Sequence, residues 1–96
     1  MAIKKIAVQL DKERNLAFPL MSLVRLKKEH GLEIKDLADE EKSQDIENII
    51  KVIWAGLIHE DKELTVEDVG YMLDISELPA ISEKLTEIFQ SMTGKN

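Results

Sequence analysis

Apolar and polar positions alternate with period two at the start of the chain and with a helical period afterwards. Ile6, Val8 and Leu10 alternate with Ala7 and Gln9, and Leu16, Phe18 and Leu20 alternate again after the polar stretch Asp11 to Asn15. Two such runs around a short polar loop predict a β-hairpin. A two-stranded hairpin is marginal alone, so it must lie on the helices that follow or pair with another chain. Pro19 is expected in the first turn of a helix, where its missing N–H costs nothing. Leu20, Leu23, Val24 and Leu26 supply that helix's stripe as far as His30, and Gly31 suits the left-handed position that ends a helix. Leu32 to Ala38 reads as a short helical turn with Ile34 and Leu37 tucked under the bundle, and Asp39 to Lys42 as a charged connector.

The strongest periodic signal follows. Ser43 is expected to cap a helix with Asp45 and Glu47 in its first turn. Ile46, Ile49, Ile50, Ile53, Trp54 and Leu57 then fall on one continuous face, which Val52 and Ile58 widen. This helix, Ser43 to about Ile58, is expected to be the buried centre. An acidic turn, His59 to Glu63, leads to Thr65, whose spacing to Asp68 fits a helix cap. Val66, Val69, Met72 and Leu73 form the stripe of a shorter helix. The last helix starts near Ser76 or Glu77 with Pro79 in its first turn. Leu78, Ile81, Leu85, Ile88, Phe89 and Met92 form its stripe, and Gly94 stops it. The expected fold is mainly α: a small bundle of four to five helices with an N-terminal hairpin. Gly56 and Gly70 lie inside helices, where glycine costs about 1 kcal/mol relative to alanine. A close crossing between their two helices would explain both.

Length and composition narrow the function. Ninety-six residues are expected to form one domain. A hydrophobic fraction of 44% with 33% charged residues is ordinary for a globular protein. No apolar run approaches the ~18 residues that span a membrane, and the N-terminus lacks a signal-peptide pattern, so a cytoplasmic protein is expected. Nineteen acids against thirteen bases leave a net charge of −6, which disfavours nucleic acid as a partner. Without cysteine there is no disulfide, thiolate or sulfur-ligated zinc.

The candidate chemistry is sparse. A calcium loop from Asp61 fails, because its sixth position is Val66 rather than glycine and its twelfth is Met72. His30 and His59 have no paired-histidine or HExxH spacing, and each is better placed as a helix-end residue. No serine sits in a nucleophile turn, and the four isolated glycines make no phosphate-cradling loop. No catalytic residue, cofactor site or metal site is therefore expected. Trp54 and Phe89 fall on apolar stripes and serve a core as readily as an interface.

One stretch carries a resemblance. Ile53 to Leu57 reads IWAGL, Glu60-Asp61 follows, and Leu64, Thr65, Glu67 and Val69 come after. This resembles the tail assembly chaperone family of long-tailed bacteriophages and prophages, where a WAGL or LYAGL helix end precedes an "ED…LT-E-V" turn and a short helix. The resemblance continues in Arg14, Leu16 and Phe18, in the helix end Glu29-His30-Gly31, in Ile34 and Leu37, and in the closing amphipathic helix. It implies a non-enzymatic chaperone that coats the tape measure protein, helps recruit tail tube protein, and is absent from the finished virion. By that reading the chain acts in the host bacterial cytoplasm. Phe18, Trp54, Ile58, Phe89 and Met92 are the expected partner-binding residues. The hairpin edges and glycine-bearing helices also lead us to expect a homo-oligomer. Two other classes compete: a structural head–tail connector or adaptor that stays in the particle, and a small acidic inhibitor of a host factor.

Overall fold

The computed structural model describes residues 5–37 and 45–93. Its elements run β1 (Ile6–Gln9), β2 (Glu13–Leu16), α1 (Leu20–His30), α2 (Ile34–Leu37), α3 (Ile46–Leu57), α4 (Val66–Met72), a 3-10 turn (Ile75–Glu77) and α5 (Leu78–Thr93). The molecule is thus mostly helical with an N-terminal antiparallel hairpin. The connector Asp39 to Lys42, the Ser43 cap and the Gly94 stop lie outside the described residues, as do the side chains of Ile34 and Leu37.

The hairpin forms in a different register from the one its apolar alternation implies. Ile6 pairs with Leu16 and Val8 with Arg14, so the second strand starts at Glu13 and the turn is shorter than Asp11 to Asn15. Arg14 therefore points inward beside Leu16 and is buried, because Asp11 neutralises it. Arg14 Nε and Nη2 donate to the two Asp11 carboxylate oxygens at 2.7 and 2.9 Å. This bidentate pair holds Asp11 down to about 2, the guanidinium hydrogen bond being the main cause. Leu20 does not continue the strand.

Pro19 stands one residue outside α1, as its N-cap in extended backbone. The ring's fixed φ suits that position as well as the first turn, and the Pro19 carbonyl accepts from Ser22 N–H at 2.9 Å. The expected stripe of α1 is rotated. Ser22 and Leu26 face inward, Leu23 partly so, while Leu20 is 80% exposed and Val24 is also exposed. Two contacts with Trp54 fix this rotation: the His30 ring meets it in a T-shaped contact with centroids 4.7 Å apart, and the Arg25 guanidinium sits 5.2 Å from its centroid. Gly31 ends the helix at φ 74°, the left-handed conformation expected of it.

α3 is the centre, as its long stripe implies. Ile49, Val52, Ile53, Trp54, Ala55, Gly56 and Leu57 are all buried on it. Its cap is Asp45, whose carboxylate accepts from Glu47 and Asn48 N–H. Around α3 pack β2, α1 and α4, while α5 lies against β1. The core closes with Val8, Leu16, Phe18, Leu26, Leu64 and Val69, and with Ile81, Leu85 and Ile88 of α5.

Gly56 is not at a helix crossing with Gly70. A Cβ on Gly56 would lie 2.7 Å from Leu16 Cδ2 and 2.9 Å from Phe18 Cζ, so the close approach is between α3 and the end of the hairpin. The Gly56 carbonyl, near the helix end and free of an intrahelical donor, accepts from Ala17 N–H at 3.0 Å. A Cβ on Gly70 would meet only Ile50 Cδ1, at 3.8 Å. Space, not crowding, surrounds that position.

Candidate functional site

The segment that carries the resemblance folds as helix, turn and helix. The turn is tied down on both sides. His59 Nε2 lies 2.8 Å from the Asn15 carbonyl. A carbonyl only accepts, so this imidazole carries its proton on Nε2. Glu60 takes Asn15 N–H and Nδ2 at 3.3 and 3.1 Å. Thr65 then starts α4 with a reciprocal capping box: its hydroxyl accepts from Asp68 N–H at 3.0 Å, and Asp68 accepts from Thr65 N–H at 3.1 Å. Trp54 locks the two helices together, donating from Nε1 to the Leu64 carbonyl at 2.7 Å.

Three of the expected partner-binding residues are in the core. Phe18, Trp54 and Ile58 are 5%, 1% and 3% exposed, so none offers a contact face. Trp54 spends its one polar atom on Leu64, and Phe18 packs on Gly56. The side chains of Phe89 and Met92 lie outside the described residues.

The exposed apolar surface lies elsewhere. Between the first half of α3 and α4 runs an open groove of about 300 Å³, lined by Glu47, Ile50, Val66, Glu67, Gly70 and Tyr71. Three causes produce it. The α4 helix is only seven residues long, so it covers α3 incompletely. Gly70 contributes no side chain where a larger residue would fill the space. Tyr71 stands 84% exposed beside the groove rather than folding into it. Glu47 and Glu67, both exposed, place carboxylates at its rim, and Glu47 has only a loose pair with Lys51 at 3.6 Å. Ile46 at the start of α3 and Ile75 in the 3-10 turn after α4 are also apolar and exposed, at 51% and 73%.

By periodicity Ile50 and Val66 are stripe residues and Gly70 belongs to a helix crossing. Nothing in that pattern points to Tyr71. It falls off the stripe of Val66, Val69, Met72 and Leu73, and periodicity gives a single off-stripe aromatic no role of its own. Charge is a separate signal. No Lys, Arg or His occurs between Lys62 and Lys84, while Glu63, Glu67, Asp68, Asp74, Glu77 and Glu83 do. At the groove itself the structure places two of the chain's acids, Glu47 and Glu67.

Among the described residues, no group of three or more His, Asp or Glu is placed to hold a metal ion, and no helix is long and apolar enough to cross a membrane. No family model matches the chain, and no curated protein or solved structure matches it either.

Proposed function

We propose that this chain is a non-enzymatic tail assembly chaperone of a bacteriophage or prophage, which binds an apolar helical segment of a tape measure protein. The observation that carries this reading is the groove between α3 and α4. One of its walls is α4, the short helix of the segment whose wording resembles that family, and its floor is apolar under an acidic rim. A long, largely helical partner exposes apolar stripes that aggregate unless covered. A helix laid into a groove buries such a stripe, and the surrounding carboxylates keep the complex soluble.

Co-expression with the cognate tape measure protein is expected to move that partner from the insoluble to the soluble fraction. Mass spectrometry of finished particles is expected to lack this chain. A partner that stays insoluble, together with this chain at stoichiometric levels in particles, would replace the reading with that of a connector.

A further inference from the structure

We infer that the α3–α4 groove selects a cationic amphipathic helix, one that seats a large apolar side chain on Ile50, Val66 and Gly70 while its Lys or Arg residues meet Glu47 and Glu67. This deepens the helix-binding reading and rests on it: it names the site and the chemistry of the partner.

Size sets the first constraint. A groove of about 300 Å³ stands at the lower end of ligand pockets, which run from ~300 to ~1,000 Å³, so it suits an anchor of one or two side chains. Shape sets the second. The walls are two helices, and the hairpin is elsewhere, packed against the far half of α3 and against α5, so no strand edge is on offer there for an extended peptide. An amphipathic helix is the remaining fit.

Charge decides the partner. An uncharged helix laid over the groove would take Glu67, and Glu47 with its loose 3.6 Å pair to Lys51, partly out of water with little compensation. An anionic helix would in addition be repelled by those two carboxylates and by a chain of net charge −6. Only a cationic flank turns both rim carboxylates into favourable contacts. Among the described residues Leu20, Met21 and Val24 on α1 are also exposed and apolar, and that helix carries Lys27 and Lys28 in its last turn.

The test uses two synthetic helical peptides of about 18 residues with the same leucine stripe at three- and four-residue spacing, one flanked by lysines and one by glutamates. The lysine peptide is expected to bind at least about tenfold tighter, with affinity falling as salt is raised. Backbone NMR shifts on titration are expected at 46–50 and 66–71. Gly70→Met fills the floor and is expected to weaken binding about tenfold. The double variant Glu47→Gln/Glu67→Gln tests the rim without touching the packing, and is expected to erase the preference for the lysine peptide.

Equal binding of the two peptides, binding by neither, or shifts at Leu20, Met21 and Val24 instead would each overturn the inference. Groove shifts that depend on protein concentration without peptide would assign it to a second copy of the chain and overturn it too. The helix-binding reading is judged separately: if Gly70→Met and the double variant solubilise the tape measure protein as well as wild type does, the reading stands and the groove is wrong.

Discussion

Two glycines on neighbouring helices show how a single Cβ changes sign with its surroundings. At Gly56 the added methyl would press on Leu16 and Phe18, both buried and hemmed in by the core, at 2.7 and 2.9 Å. Alanine is better than glycine in a helix by about 1 kcal/mol, but overpacking of this kind costs about 1–3 kcal/mol. Gly56→Ala is expected to be destabilising on balance. At Gly70 the methyl would stand 3.8 Å from Ile50 Cδ1, an ordinary contact. The propensity term then acts alone, and Gly70→Ala is expected to raise stability by about 0.5–1 kcal/mol. Urea denaturation of both variants measures the two signs, and two changes of the same direction would contradict this account. The glycine positions were visible as anomalies in the sequence. Their different reasons were not, because periodicity says that a residue lies in a helix and not what stands opposite it.

At the scale of elements, α3 was the most legible part of the chain, since its stripe is long and uninterrupted. Even there the stripe overstates burial. Ile53 is fully buried, Ile50 is half-buried on the floor of the groove and Ile46 is 51% exposed at the helix start. Ile53→Ala is therefore expected to cost about 2–5 kcal/mol and Ile46→Ala less than about 1 kcal/mol, with Ile50→Ala between them. Chemical denaturation giving equal losses at Ile46 and Ile53 would refute the gradient. The hairpin was legible as a hairpin but not in register. Arg14 occupies an inward position that a period-two pattern reserves for apolar residues, and its pairing with Asp11, helped by the charges of Asp61 and Glu60, makes that tolerable. The stripe of α1 failed for a related reason. Leu20, Met21 and Val24 are apolar yet exposed, while Ser22 is buried, because Arg25 and His30 fix the helix's rotation by packing on Trp54. The groove was illegible as a site, since uncovered apolar residues and core residues look alike until the covering elements are in place.

For the whole molecule, titration couples that Trp54 cluster to stability. Burial is the main cause that lowers the His30 pKa from 6.5, and the positive charges of Lys51 and Arg25 lower it further against the opposing pull of Glu29. The unfolded chain then takes up a proton at higher pH than the folded one does. Stability is lost as pH falls through about 6.5 and levels off below the folded pKa. The carboxylates act lower down. Asp11 is held at about 2 by Arg14, Glu29 is lowered by Arg25 and Asp74 by Ser76, while Glu60 is lowered because the Asn15 hydrogen bonds and the charges of His59 and Arg14 together exceed its desolvation. Each of these contributes stability that is present above its unfolded pKa and lost as pH falls through its folded one. Two separate acid limbs are expected as a result. Relief of the net charge of −6 acts in the opposite direction over the same range, so the wild-type curve alone does not isolate His30. The variant His30→Gln does, since it leaves every carboxylate in place. Urea midpoints between about pH 7.5 and about pH 5.5 are expected to fall more for wild type than for His30→Gln, and to run parallel below about pH 4. Parallel curves across the upper window would show that the His30–Trp54 contact carries no proton linkage.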